Sequence, residues 1–230
     1  MISYVIFDLD GTLAKIGAPV LQEDLALIHD IEKKGVGIAI SSGKPTYYTC
    51  GFARQMGLSD PYLIGENGAV LQKGIELPPP LTRKSPIPEK TRRALKELRA
   101  LLEEKFPDRL WFQPNETALT PFLAQVEDFP ALRALFASFV KPDMELTVYE
   151  HCDCFDIAWS PLDKGEGIRL LSEVTGADPE TMIAVGDWTN DYSMFAEAGF
   201  SIGINLPDPE KATVNVTCLR DALKLILEKI

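Results

Sequence analysis

Short apolar runs that alternate with helical patterns restrict this chain to an α/β fold. Ile2–Phe7 has the pattern of a first strand, and Val36–Ile40 is an unbroken apolar run. A helical pattern spans about residues 20–34 between them and stops at Gly35. Strands that are apolar at every position are typical of parallel sheets that helices cover on both faces. The sequence therefore predicts a Rossmann-like, doubly wound parallel sheet.

The same alternation continues on both sides of a long interruption in the middle of the chain. Pro45 suits the first turn of the next helix. The further elements predicted for the sheet domain are a helix from Pro45 to about Gly57, a strand at Tyr62–Ile64, a hairpin through Asn67-Gly68 to Val70-Leu71, helices at Lys164–Thr175, Asn190–Ala198 and Leu219–Glu228, and strands at Thr181–Val185 and Phe200–Ile204.

The interruption has a composition and a pattern of its own. A proline-rich stretch at residues 78–88 predicts a linker into a second module. The order αββαββ follows, which indicates an antiparallel sheet covered by two helices. We therefore expect a core domain of residues 1–82 and 160–230 and a smaller inserted α+β cap domain of residues 83–159. The predicted cap elements are helices at Glu89–Lys105 and Pro130–Val140 and strands at Leu110–Gln113, Thr117–Leu123, Met144–Tyr149 and Cys154–Trp159.

The charge of the chain limits its partners. Acidic residues outnumber basic ones by 34 to 23, which gives a formal net charge of −11. Such a surface repels nucleic acid and anionic membranes, so we expect neither as a partner. It repels a phosphorylated ligand as well. A phosphate site in this chain must therefore carry its own positive charge, from a metal or from lysines.

Several features favour the cytoplasm. The amino terminus has no basic segment and meets an acid at Asp8, and no run of 18 apolar residues occurs. Four cysteines in a chain of 230 residues do not look like a disulfide framework. Cys152 and Cys154, with His151 beside them, admit a metal clip, but such a pair within an alternating strand pattern is more often structural.

Two groups of acids follow predicted strands at their carboxyl ends, which is where open α/β sheets bind ligands. Asp8 and Asp10 come directly after the first strand, and alternate residues of an extended chain point to the same side. Asp187 ends a later strand, and Asp191 lies one helical turn further on. Carboxylates this close repel one another unless a cation lies between them. Hard carboxylate oxygens suit Mg²⁺.

Two further segments can neutralise or bind a phosphate. Ser42-Gly43-Lys44 joins a strand to the amino terminus of a helix, where backbone N–H groups and the helix dipole favour anions. Lys164 begins another helix, and its ammonium can offset phosphate charge. Simpler interpretations exist: Ser42 can cap the helix, Lys164 can lie on the surface, and Asn67 can only form its turn. The spacing from Gly37 to Lys44 excludes a P-loop.

Taken together, these segments resemble the four motifs of the haloacid dehalogenase superfamily of phosphohydrolases. The resemblance is closest to its Cof-type branch, whose type-IIB cap is inserted between the second and third motifs, and it covers essentially the whole chain. It implies that Asp8 is the nucleophile and Asp10 the general acid/base. It also implies that Mg²⁺ is held by Asp8, the backbone carbonyl of Asp10 and Asp187, with Asp191 in support. The residues expected to bind the phosphoryl group or the substrate are Gly11, Ser42, Gly43, Lys44, Asn67 and Lys164, of which Ser42 and Lys164 are also expected to be catalytic.

Two departures from the branch concern the substrate. Lys44 stands where members usually carry arginine, so a point charge replaces a bidentate contact. The small cap resembles that of archaeal-type phosphoglycolate phosphatases. We therefore expect a Mg²⁺-dependent phosphatase of a small metabolite, a sugar phosphate or a phosphoglycolate-like acid, that forms an aspartyl-phosphate. The alternatives are a phosphomutase of the same superfamily and a non-catalytic protein that binds a phosphometabolite. The sequence carries no prediction of oligomeric state.

Overall fold

A computed structural model of the chain describes residues 1–151 and 153–230. These residues form twelve strands and seven α-helices. The strands are β1 (Tyr4–Asp8), β2 (Gly37–Ser41), β3 (Tyr62–Gly65), β4 (Val70–Lys73), β5 (Leu81–Lys84), β6 (Leu110–Gln113), β7 (Thr120–Leu123), β8 (Leu146–Glu150), β9 (Phe155–Trp159), β10 (Met182–Gly186), β11 (Phe200–Ile204) and β12 (Val214–Val216). The helices are α1 (Gln22–Lys33), α2 (Thr46–Met56), α3 (Glu89–Lys105), α4 (Phe129–Phe139), α5 (Lys164–Thr175), α6 (Tyr192–Glu197) and α7 (Leu219–Lys229).

The chain divides into two compact units, which are described separately. The first consists of residues 1–84 and 163–230 and contains one eight-stranded sheet of order β12-β11-β10-β1-β2-β3-β4-β5. The six strands from β12 to β3 are parallel. The strands β4 and β5 extend the sheet beyond β3, and each pairs antiparallel with the strand before it. Because β1 lies in the middle between β10 and β2, the chain places Asp8 at the centre of the carboxyl edge.

Helices cover both faces of this sheet, as its apolar strands require. Val5 and Phe7 of β1 belong to one apolar cluster and Ile6 to another. The first cluster includes side chains of α1, α2 and α7, and the second includes side chains of α5 and α6. Alternate residues of one strand thus enter opposite cores. The predicted doubly wound α/β fold is confirmed.

Two edge strands were missing from the sequence prediction. The stretch predicted as a proline-rich linker contains β5, which pairs with β4 through four residue pairs. The strand β12 covers three residues and pairs with β11. Prolines on both sides hide the proline-free run of β5, and β12 is too short to show an alternating pattern. Local sequence alone carries little signal for such edges, because their pairing is set by the neighbouring strand.

The second unit, residues 85–162, has the predicted order αββαββ. The strands β6 and β7 form one antiparallel pair, and β8 and β9 form another. Leu119 and Ile157 join the two pairs by exchanging backbone hydrogen bonds of 2.9 Å in both directions. The helices α3 and α4 supply Leu98, Leu102, Leu132 and Phe136 to an apolar core with Phe155. The predicted antiparallel sheet therefore consists of two ladders linked by bridges.

Two smaller observations complete the fold. Cys152, one half of the metal clip that the sequence admitted, lies outside the described residues, whereas Cys154 is buried. Across residues 1–151 and 153–230, no helix is both long enough and apolar enough to cross a membrane.

The core of the second unit gives a test of the fold. Phe155 is almost fully buried, and its ring centroid lies 5.1 Å from that of Phe129 and 4.9 Å from that of Phe136. We expect Phe155→Ala to lower the free energy of unfolding by about 3–5 kcal/mol, because it removes apolar contacts and leaves a cavity. Urea unfolding followed by circular dichroism measures this change. The control is Val126→Ala at an exposed position, and equal effects of the two substitutions would contradict the assigned core.

Candidate active site

A buried lysine lies at the centre of the carboxyl edge. Lys164, the first residue of α5, exposes only 2% of its surface. Its Nζ donates to Asp8 Oδ1 at 2.5 Å and to Asp191 Oδ1 at 2.6 Å. The helix begins there because the side chain of Asp163 accepts a hydrogen bond from the N–H of Glu166. The alternative of a surface lysine is therefore excluded.

The loop after β10 is anchored to the same lysine. Asp191 is fully buried, and its Oδ2 accepts from the backbone N–H groups of Asp187, at 2.9 Å, and Trp188, at 3.0 Å. One carboxylate thus bridges Lys164 and two backbone donors. This arrangement fixes the backbone that presents Asp187.

Asp187 has a second contact on the loop that follows β1. Thr12 Oγ1 donates to Asp187 Oδ1 at 3.0 Å. Gly11 has a φ of +98°, and a Cβ built there would lie 2.2 Å from Asp187 Oδ2. Glycine is required at this position both for the backbone conformation and for the close approach of the carboxylate. The two acid-bearing loops are thereby held side by side.

The oxygen atoms of three acids form a group suited to a divalent cation. Asp8, Asp187 and Asp191 each offer a carboxylate oxygen, and these oxygens all lie within 4.8 Å of one another. Asp8 Oδ2 is buried and has no hydrogen-bond partner. An orphaned buried carboxylate oxygen is costly unless a cation or a proton satisfies it. The residues present therefore fit a hard cation such as Mg²⁺.

Asp10 stands apart from that carboxylate group. Lys44 Nζ donates a hydrogen bond to Asp10 Oδ2 at 3.0 Å, and the two partly exposed side chains form an ion pair. The side chain of Asp10 is thus directed to a lysine, and its role as a metal ligand through the backbone carbonyl stays a prediction. The partial exposure of the Asp10 carboxylate suits a group that exchanges protons with a substrate.

Burial changes the proton affinity of these groups. Burial raises the pKa of Asp8 to about 7 from its ordinary 3.8, although the Lys164 ammonium opposes the rise. Burial also raises the pKa of Asp187, and the hydrogen bond from Thr12 opposes it. Burial by itself lowers the pKa of Lys164, but Asp8 and Asp191 outweigh that effect and hold its pKa above the usual range. Lys164 therefore stays charged, while the acids favour a cation.

The predicted phosphate segment is joined to the turn that contains Asn67. The backbone N–H of Asn67 donates to the carbonyl of Ser42 at 3.1 Å, and the N–H of Glu66 donates to the carbonyl of Lys44 at 3.0 Å. A Cβ built on Gly43 would lie 3.3 Å from the Asn67 amide. Asn67 thus lies against the Ser42–Lys44 segment in addition to forming the predicted hairpin turn.

Ser42 does not cap the following helix. The helix α2 begins at Thr46 with Pro45 as its capping residue and has no side-chain cap. Ser42 is buried, and its Oγ accepts from the backbone N–H of Lys44 at 3.2 Å. The hydroxyl keeps its proton available for another acceptor, such as a phosphate oxygen.

Sequence reasoning missed two contributors to this region. Thr12 donates to Asp187 and so positions it, but the sequence prediction assigned Thr12 no role. Glu66 is buried and has a φ of +52°. The only available signals were the position of Thr12 directly after Asp-x-Asp-Gly and that of Glu66 before Asn-Gly.

Comparison with known proteins agrees with this geometry. The model of the haloacid dehalogenase-like hydrolases matches residues 5–77 and 102–210. A phosphoglycolate phosphatase of Methanopyrus kandleri is 26% identical over 227 residues, which are 97% of this chain and 90% of the relative. A phosphoglycolate phosphatase of Methanococcoides burtonii is 26% identical and covers 93% of this chain and 88% of its own length.

Solved structures share the fold at low sequence identity. A haloacid dehalogenase-like hydrolase of Bacteroides thetaiotaomicron matches with a TM-score of 0.82 at 15% identity and covers 100% of both chains. A sugar phosphatase of subclass IIB matches with a TM-score of 0.71 at 19% identity and covers 99% of this chain and 98% of its own.

The contact between Gly11 and Asp187 can be tested with a matched pair of glycines. Gly17 shares a positive φ with Gly11 but has nothing within 4 Å of a built Cβ. We expect Gly17→Ala to cost about 1–2 kcal/mol from backbone strain, and Gly11→Ala about 1–3 kcal/mol more from overlap with Asp187. Urea unfolding measures both losses. Equal losses would show that the approach of Asp187 does not require a glycine.

Proposed function

The chain belongs to the family of haloacid dehalogenase-like hydrolases and is a phosphoric monoester hydrolase, and we propose that it acts with Mg²⁺ on a small phosphorylated metabolite through an aspartyl-phosphate on Asp8. The observation that carries this proposal is the buried Asp8, bonded to Lys164 through Oδ1 and without a partner at Oδ2. The Asp187 and Asp191 carboxylates lie beside it.

Asp8 is the proposed nucleophile. A carboxylate oxygen of Asp8 attacks phosphorus, a new O–P bond forms, and the bond between phosphorus and the ester oxygen breaks. Lys164 is fixed between Asp8 and Asp191, so its charge is in place before the reaction begins. This preorganised ammonium offsets the negative charge of the transferring group without further movement.

Asp10 is the proposed general acid and base. Its partly exposed carboxyl donates a proton to the departing ester oxygen and then accepts one from the water that attacks phosphorus. Hydrolysis breaks the bond to Asp8, releases inorganic phosphate and restores the carboxylate. Lys44, which pairs with Asp10 at 3.0 Å, is well placed to contact the substrate beside it.

Other residues hold the phosphoryl group. The Ser42 hydroxyl is the proposed donor to a phosphate oxygen, and Gly43 and Asn67 lie against each other beside it. The N–H of Gly11 already donates to the carbonyl of Ala14 at 2.8 Å, so Gly11 contributes space for the phosphoryl group. Asp8, Asp187 and the backbone carbonyl of Asp10 would hold Mg²⁺, with Asp191 fixing the loop that bears Asp187. When bound, the cation supplies positive charge that offsets the repulsion between the carboxylate and the phosphate dianion.

The substrate class follows from the charges and the relatives. Relatives named phosphoglycolate phosphatase and a structural neighbour named sugar phosphatase both act on small phosphate esters. The net charge of −11 disfavours nucleic acid as a substrate. We therefore propose a sugar phosphate or a phosphoglycolate-like acid as the substrate.

The role of Asp8 is tested by Asp8→Asn. We expect this variant to lose Mg²⁺-dependent release of phosphate from a panel of phosphate esters, because an amide cannot attack phosphorus, while its circular dichroism spectrum stays unchanged. The control is Asp30→Asn, which removes an exposed acid paired with Lys33. Release by Asp8→Asn at the wild-type rate would refute the nucleophile. A wild-type chain that transfers phosphate to a sugar without releasing it would be a mutase, and one that binds a phosphate analogue without turnover would be a binding protein.

The raised pKa of Asp8 predicts a pH-dependent metal effect. Between its ordinary value of 3.8 and about 7, the folded chain holds a proton on Asp8 that the unfolded chain has lost, so metal-free stability falls as the pH rises. Mg²⁺ binds the ionised carboxylate, and its stabilisation should therefore grow from about pH 6 to about pH 8. At a Mg²⁺ concentration one hundred times its Kd, we expect about 2.7 kcal/mol of stabilisation. Each kcal/mol should raise the Tm by roughly 2–4 °C.

Thermal unfolding with Mg²⁺ and with EDTA at both pH values measures this effect. In Asp8→Asn the growth with pH should shrink, because position 8 no longer titrates and only the raised pKa of Asp187 remains. An equal shift at the two pH values in the wild type, or an undiminished growth with pH in Asp8→Asn, would contradict the assignment.

A further inference from the structure

Exposed aromatic side chains of the first unit gather at the catalytic end of the sheet. Tyr47, Tyr48 and Trp188 expose 54%, 47% and 60% of their surface. All three follow the carboxyl ends of β2 or β10, the two strands that flank β1. The remaining aromatic residues of this unit are buried or partly buried, namely Tyr4, Phe7, Phe52, Tyr62, Tyr192, Phe195 and Phe200.

Trp188 lies directly between the site acids in the sequence and has a fixed backbone. Its N–H donates to Asp191 Oδ2 at 3.0 Å, and Asp191 is fully buried and bonded to Lys164. The backbone of Trp188 is therefore fixed beside the site acids, and its side chain is exposed to solvent. An exposed indole keeps a large apolar surface in water, and contact with a ligand can bury that surface.

Tyr48 occupies the opposite side of β1. It lies in the first turn of α2, and Lys44 Nζ is 5.9 Å from its ring centroid. The same Nζ is 3.0 Å from Asp10 Oδ2. The Tyr48 ring thus lies next to Lys44, and Lys44 pairs with Asp10, the proposed donor of a proton to the leaving oxygen.

The spacing of the strands limits what can contact this end of the sheet. Neighbouring strands lie about 4.8 Å apart, so β10 and β2 are separated by about 10 Å with Asp8 between them. A two-carbon acid offers little apolar surface to either side. The C–H face of a sugar ring is larger and packs well on indole and phenol rings.

We infer that Trp188 is a specificity determinant that packs against the leaving group of a ring-bearing phosphate ester, with Tyr48 on the opposite side of the nucleophile. This inference rests on the proposed phosphatase function and selects the sugar-phosphate class within it. Trp188 contacts the substrate and not the reacting atoms, so it acts on KM more than on kcat.

The selectivity of the enzyme tests the inference. The readout is the ratio of kcat/KM for glucose 6-phosphate to kcat/KM for 2-phosphoglycolate. We expect Trp188→Ala to lower this ratio roughly five- to tenfold through a higher KM for the hexose phosphate. Trp188→Phe keeps an aromatic face and should keep the ratio within about twofold.

The matched control is Leu77→Ala. Leu77 is an exposed apolar residue of the same unit, in the β4–β5 connection at the opposite edge of the sheet. Its removal should leave the ratio unchanged. An unaltered ratio in Trp188→Ala, or an equal loss in Trp188→Phe, would overturn the inference.

A binding measurement separates this inference from the proposed function. Glucose 6-phosphate is titrated into Asp8→Asn, and tryptophan fluorescence is compared with that of the double variant Asp8→Asn/Trp188→Phe. A fluorescence change that only the double variant lacks supports the contact, and no change in Asp8→Asn, or the same change in both, refutes it. Failure of the wild type to release phosphate from any ester would refute the proposed function without affecting the result of the fluorescence titration.

Discussion

The buried ammonium of Lys164 is the interaction on which the catalytic end of this molecule depends. An unpaired charge in the interior costs several kcal/mol, so Lys164 requires both of its carboxylate partners. Those partners come from opposite parts of the chain: Asp8 ends the first strand, and Asp191 follows the tenth. One side chain thus joins the two loops that carry the proposed nucleophile and the proposed metal ligand. The same contacts that make the lysine tolerable in the interior place its charge beside the reacting carboxylate.

Close backbone approach is the second requirement of the site. Besides Gly11, the loop after β10 depends on Gly186, where a built Cβ would lie 2.4 Å from the Asp191 carboxylate. Each of these glycines leaves room for a carboxylate beside the backbone. Asp8, Asp187 and Asp191 offer oxygens that all lie within 4.8 Å of one another, and this proximity favours a cation between them.

The fold and the grouping of Asp8, Asp187 and Asp191 were predictable because the relevant signals are local. Apolar strands such as Val36–Ile40 predict a buried parallel sheet, and acids that directly follow parallel strands lie at its carboxyl edge. The sequence did not predict which side chains form hydrogen bonds with one another. Thr12 donates to Asp187, which lies 175 positions further along the chain, and Lys44 donates to Asp10. Neither pairing can be predicted from the spacing of the residues. The edge strands β5 and β12 failed for the same reason, since only the neighbouring strand determines that they pair.

Those two edges also bear on how copies of the chain behave at high concentration. An open sheet presents unpaired backbone groups along both outer strands, which can recruit a strand from another molecule. Here one border ends in Arg83 and Lys84, and the other is a three-residue strand that contains Asn215. Positive charge at one border and brevity at the other discourage such lateral recruitment. The two edge strands that the sequence did not predict, β5 and β12, thus carry the features that disfavour edge-to-edge association.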